Sequence, residues 1–144
     1  YEPMTVHESS LSACIHSILA SRIGNLAKAY ELYLRTARLD LDDYNHEVAE
    51  GLHITSMAGT WLAIVEGFGG MRIIDSKVLV NPLIPDKWKS YSFHARFRGV
   101  LFMVTITHKD VIVSNLSDKS FTITIRGKEV QVPASGTKTL KLIK

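Results

Sequence analysis

The sequence predicts an α+β chain: a few helices followed by a small antiparallel β-sandwich. Three observations predict it. Apolar residues recur every three to four positions as far as Phe68, and from Met71 onward they alternate in twos. The change of period falls on a glycine-rich break, with Gly67, Gly69 and Gly70 close together. Charge changes at the same place: residues 1–70 hold four Lys/Arg against nine Asp/Glu, net −5, whereas residues 71–144 hold thirteen against five, net +8. The chain therefore divides into two domains, a helical one over 1–70 and a β-sheet one over 71–144.

The first helix comes after Ser9 and Ser10 and carries Leu11, Cys14, Ile15, Ile18 and Leu19 at helical spacing. The second comes after Asn25 and carries Leu26, Ala29, Tyr30, Tyr33, Leu34 and Ala37, with Gly24 and Asn25 making a break short enough for antiparallel neighbours. A third, from Leu52 to Glu66, sets Met57, Trp61, Ile64, Val65 and Phe68 on one stripe, while Ala58, Gly59 and Ala63 thin its other side for close packing. Three helices offer few ways to cover every such stripe. Together with a first residue that is Tyr1 rather than Met, this predicts further helices upstream, in a longer chain.

Eight strands are expected: Met71–Ile74, Val78–Val80, Tyr91–Phe97, Leu101–Thr107, Val111–Ser114, Phe121–Arg126, Glu129–Val132 and Thr139–Ile143. Alternation is clearest where Tyr91, Phe93, Ala95 and Phe97 interleave with Ser92, His94 and Arg96, and where Phe121, Ile123 and Ile125 interleave with Thr122, Thr124 and Arg126. Gly127 and the stretch Pro133 to Gly136 supply turns. Eight short strands of this kind make a sandwich.

Composition removes several classes of function. With 46% hydrophobic and 22% charged residues among 144, the chain is globular, and charged residues interrupt every apolar stretch before it reaches a membrane span. A single cysteine, Cys14, leaves no internal disulfide and no Cys-based zinc site, and points to a reducing compartment. The basic residues of the second half are spread among strands rather than clustered, which argues against nucleic acid as a partner. Asp40, Asp42 and Asp43 open like a calcium loop, but Tyr44, Asn45 and Gly51 stand where a ligand, the turn glycine and the bidentate Glu belong, so an EF-hand is excluded. The Gly67–Gly70 stretch leaves a helix instead of entering one, and is no phosphate loop.

Two polar clusters could carry chemistry. Thr5, His7, Glu8, Ser9 and Ser10 precede the first helix, and His53, Thr55 and Ser56 open the third. Each can be read as a helix cap with a hydrogen-bonded histidine. Each can equally be read as an anion site, in which hydroxyls, free amides and an imidazole converge on a phosphate, provided that both helices start at the same end. In the second half, Trp88 and Tyr91 are either core residues or a sugar-stacking pair.

The runs Tyr1 to Ser12, Ala29 to Tyr33, Thr36 to Leu41, Gly51 to Trp61, Phe68 to Arg72 and Lys87 to Phe93 resemble the C-terminal part of glycoside hydrolase family 65, its maltose phosphorylases most of all. The match is specific to about residue 97 and generic beyond. The resemblance implies that the helices are the last of an (α/α)6 toroid and that the strands form a small C-terminal domain. It implies an inverting phosphorylase that cleaves an α-linked glucose disaccharide with inorganic phosphate, giving β-glucose 1-phosphate and glucose from maltose; trehalose and kojibiose are the alternative substrates. His7, Ser9, Ser10, His53, Thr55 and Ser56 match the family's motifs around the phosphate, whereas its general-acid glutamate and a phosphate-contacting lysine belong upstream of this segment. No catalytic residue, metal or organic cofactor is therefore expected here. The expected partners are phosphate, the disaccharide and the rest of the catalytic domain, without nucleic acid or membrane, in a cytoplasmic enzyme that is a homodimer at full length. The competing expectation, from another class, is a noncatalytic sugar-binding or assembly module.

Overall fold

The structure is a computed structural model that describes residues 4, 5, 9, 11–43 and 46–142, with the side chain of Glu50 left aside. It divides into two compact units, Tyr1–Phe68 and Gly69–Lys144.

The helical unit holds α1 (Ser12–Arg22), α2 (Leu26–Ala37) and α3 (Ile54–Leu62), with a 3-10 turn at Val48–Glu50 before α3 and a π-helical segment, Ala63–Phe68, continuing it. The α1–α2 corner depends on Gly24 at φ +77°: its N–H donates to Ser21 O, the Asn25 N–H reaches back to Ala20 O, and the Asn25 Oδ1 accepts from Lys28 N at 3.2 Å to start α2. Ser17 is buried between the two helices and donates its hydroxyl to Ala29 O at 2.8 Å.

α3 turns Ser56 and Gly59 inward, with Ala63 following, whereas Ala58, expected on the same side, is exposed. A Cβ built on Gly59 would lie 2.9 Å from the Cys14 Cβ and 3.0 Å from its Sγ, so α1 and α3 approach closely. Further along, Gly67 faces Ile18 and Ser21. Contacts that advance together along both elements mean that α1 and α3 run parallel and start at the same end of the unit.

The expected stripe on the third helix is divided. Val65 and Phe68 are buried, but Met57 and Trp61 are each 51% exposed. The π-helical segment begins at Ala63, between the exposed Trp61 and the buried Val65 and Phe68. Phe68 then meets Tyr33 of α2 edge-on, with centroids 5.6 Å apart.

The second unit is a sandwich of two four-stranded sheets, which makes the whole chain the α+β arrangement that the two periods predict. The first sheet has the order β1 (Arg72–Ile74), β2 (Lys77–Val80), β6 (Phe121–Ile125), β7 (Lys128–Val132); the second has β3 (Ser90–Phe97), β4 (Val100–Thr107), β5 (Asp110–Asn115), β8 (Thr137–Lys141). All eight expected strands are present. The last starts two residues earlier than its pattern suggests, and Ile143, at its expected end, lies outside the described residues. Pairing is antiparallel except between β2 and β6, which run parallel with Val78 opposite Ile123 and Val80 opposite Ile125. In the second sheet Phe93, Val104 and Val113 stand in one cross-strand row, all buried. Phe102 and Phe121 join the two sheets with centroids 4.8 Å apart.

Asn115 is buried and fully satisfied. Its amide donates to Lys119 O at 2.8 Å and to Pro133 O at 2.9 Å, and its Oδ1 accepts from Ser117 N at 3.0 Å. Tyr91 is equally committed: its hydroxyl donates to Leu83 O at 2.7 Å, Trp88 packs edge-on against its ring, and burial pushes its pKa well above the ordinary value.

Candidate functional site

The polar residues at the start of α3 are organised around His53, the residue that precedes the helix. The segment after α2 brings Asp40 against it. One Asp40 oxygen, Oδ2, accepts the His53 backbone N–H at 2.9 Å, and the other, Oδ1, lies 2.5 Å from the ring Nδ1. Asp40 therefore occupies one of the open donors at this helix end and one ring nitrogen at once. The second ring nitrogen, Nε2, is 3.3 Å from Glu47 Oε2.

Two carboxylates on one imidazole favour its charged form. The His53 pKa is raised from 6.5, first by the hydrogen bond to Asp40, against a lowering from burial, with Glu47 adding to the rise. The Asp40 pKa is lowered by the same ring contact and by the backbone N–H of His53. The ring is thus held at the start of α3 in surroundings that favour its charged form.

The remaining predicted residues are less tightly organised. Thr55 is exposed in the first turn of α3, and Ser56 is buried on the face that carries Gly59. The Ser56 carbonyl accepts the Thr60 hydroxyl at 2.8 Å. Ser9 is exposed ahead of α1, where its Oγ accepts from Leu11 N at 3.3 Å. His7 and Ser10 lie outside the described residues. The parallel course of α1 and α3 puts Ser9 and His53 at the same end of the unit, and among the described residues no hydrogen bond links them.

A cleft of about 430 Å³ beside the cluster is lined by Asp40, Ser56, Leu39, Leu52, Met57 and Thr60 among others. The sandwich has its own cavity of about 480 Å³, between Phe97, Arg98, Lys119 and Phe121, and neither Trp88 nor Tyr91 lines it. Among the described residues no group of His, Cys, Asp and Glu is arranged to hold a metal ion, and no helix is long and apolar enough to cross a membrane.

Asp40 and Glu47 are the residues that sequence reasoning missed as partners of the site. Asp40 stands thirteen positions before His53 and reads locally as one acid in an acidic stretch. No periodicity signals a pairing across a loop.

Comparison with known proteins finds relatives of both units. The model of the glycosyl hydrolase family 65 central catalytic domain matches residues 1–62, and that of the family's C-terminal domain matches residues 71–132. The maltose phosphorylase of Bacillus subtilis (strain 168) is 57% identical over 112 residues, 78% of this chain and 15% of that protein. The alpha,alpha-trehalose phosphorylase of Geobacillus stearothermophilus is 45% identical over 132 residues, 92% of this chain and 17% of its own length. A solved structure from the human microbiome, described with the kojibiose phosphorylases, superposes with a TM-score of 0.90 at 38% identity, covering 98% of this chain and 18% of its own. The chain thus spans about a sixth of the length of these relatives.

Proposed function

Because this chain belongs to glycosyl hydrolase family 65, we propose that it is the C-terminal part of an inverting disaccharide phosphorylase that cleaves maltose with inorganic phosphate to β-glucose 1-phosphate and glucose. Maltose is preferred over trehalose and kojibiose on the 57% identity to a maltose phosphorylase. On this reading residues 1–70 close the (α/α)6 catalytic domain, residues 71–144 form the C-terminal domain, and the full-length enzyme is a cytoplasmic homodimer.

An inverting hydrolase needs a general base to activate water, but phosphate is already a nucleophile, and an anion site can stand in the base's place. A phosphate oxygen attacks the anomeric carbon as the glycosidic C–O bond breaks, and the departing sugar oxygen takes a proton from a general acid supplied by the preceding part of the chain. The work left to this segment is to hold phosphate in line and to offset its charge. We assign that work to His7, Ser9, Ser10, His53, Thr55 and Ser56. The observation that carries the reading is His53, held between two carboxylates at the start of a helix that begins at the same end as α1.

Two exposed apolar rows support a larger domain around this unit. Leu11, Ile15, Leu19 and Ile23 run along α1, and Ile54, Met57 and Trp61 along α3, each at least 46% exposed. Upstream helices of the toroid would cover them. A noncatalytic module is the weaker reading, because cavities lie in the helical unit as well as in the sandwich.

The test is phosphorolysis by the full-length enzyme. His53→Ala and the pair Ser9→Ala/Ser10→Ala are expected to raise the KM for phosphate roughly tenfold to a hundredfold, the effect of losing a hydrogen bond to a charged group, while the maltose KM moves less. Unchanged phosphate kinetics with a lowered melting temperature would make these residues caps and nothing more.

A further inference from the structure

We propose that Asp40 is a positioning residue that aims His53, and that Glu47 is a stand-in carboxylate which phosphate displaces from the His53 Nε2, so that Glu47 sets how much phosphate the enzyme needs. The inference rests on the phosphate subsite proposed above.

The two acids on His53 differ in kind. Asp40 holds two points, a backbone N–H at 2.9 Å and the ring Nδ1 at 2.5 Å, and its side chain is only 13% exposed. Removing it would leave a helix-end N–H without its acceptor and the ring free to rotate. On the ring Glu47 holds one nitrogen, at a longer 3.3 Å, and its side chain is 45% exposed. Solvent therefore competes for that contact far more than for the Asp40 pair.

An imidazolium has two N–H donors and no more. Asp40 takes Nδ1, which leaves Nε2 as the one ring donor that a ligand could use. Glu47 rests on it. Phosphate carries more charge than a carboxylate and offers acceptor oxygens in several directions, so it can replace Glu47 on the same N–H. Both anions cannot share the site, since like charges at hydrogen-bonding distance repel. The two acids should therefore act on phosphate with opposite sign, one holding the donor in place and the other competing for it.

The experiment is steady-state phosphorolysis by the full-length enzyme, with inorganic phosphate varied at saturating disaccharide, on His53→Ala, Asp40→Asn and Glu47→Gln. Glu47→Gln keeps shape and size at an exposed position, so its folding is not at issue. It is expected to lower the phosphate KM by about twofold to fivefold, the scale of a partly exposed charge contact. Asp40→Asn is expected to raise it about tenfold or more, with the disaccharide KM shifting less. If Glu47→Gln leaves the phosphate KM unchanged or raises it while His53→Ala raises it, the displaced carboxylate is wrong and the subsite stands. If Asp40→Asn moves both Michaelis constants equally, Asp40 is structural and the positioning role is wrong. If His53→Ala leaves phosphate untouched, the subsite and the inference fall together.

Discussion

His53 shows how one residue can satisfy two readings of a sequence. A histidine beside apolar neighbours is expected to be either a hydrogen-bonded structural residue or a ligand donor, and here Asp40 makes it the first while favouring the charged form that the second would use. The pairing has a pH signature. The His53 pKa is raised above 6.5 by folding, so its stabilisation is complete below that pH and is lost as pH rises through the higher folded value. The Asp40 pKa is lowered below 3.8, so its stabilisation is complete above that pH and is lost as pH falls through the lower folded value. One contact underlies both, so the effects are not additive. Thermal unfolding at a series of pH values should therefore show His53→Gln trailing the parent chain most between 3.8 and 6.5, with the gap closing on the alkaline side. A gap that widens toward alkaline pH would mean that the ring is buried neutral.

At the scale of elements, α3 is built from contrast: Gly59 meets α1 and α2, while Ile54, Met57 and Trp61 look outward. Gly59 decides how close the helices come. Alanine is the better helix former by about 1 kcal/mol, but the new methyl would stand 2.9 Å from the Cys14 Cβ, an atom tied directly to the α1 backbone. Overpacking should win, so Gly59→Ala is expected to destabilise by about 1–3 kcal/mol, and Gly59→Leu to prevent folding of the helical unit. Calorimetry or helical circular dichroism would check both, and a stabilised Gly59→Ala would show that α1 can move aside. The π segment is the feature of this element that the sequence hides. Met57, Trp61, Val65 and Phe68 make a coherent stripe on a regular helix, and neither the π turns from Ala63 nor the change from exposed to buried there leaves a local mark. Strands and turns are easier to read. Alternation reflects one buried face, and Arg126–Gly127, both at positive φ, mark a hairpin in their own residues. The parallel pairing of β2 with β6 is not legible, because more than forty residues separate the partners.

At the scale of the whole chain, the two units differ in how well they bury their own apolar surface. The sandwich closes over Phe102, Val104, Ile106, Val111 and Ile123, all 0% exposed, whereas the helical unit leaves Ile23, Leu52 and Ile54 largely open. Limited proteolysis is therefore expected to degrade the helical unit first and to leave the strands as the surviving fragment. Survival of the helices alone would reverse this assignment of stability. Activity belongs to the same scale. With the general acid assigned to the preceding part of the chain, these 144 residues alone should give no glucose 1-phosphate from maltose and phosphate above a blank. Turnover by protein free of host phosphorylase would place the whole catalytic centre in this segment.

The sequence by itself determined the α+β class, the change from helix to strand near the glycines, and eight strands, because each is a local matter of period or turn. Tertiary structure alone decided that α1 and α3 start at the same end, that the third stripe is divided, that β2 lies parallel to β6, and that Asp40 and Glu47 close on the two nitrogens of His53. These are pairings between distant parts of the chain. Each depends on the shape that the intervening residues fold into, and an acid thirteen positions from a histidine carries no sign of where its carboxylate will come to rest.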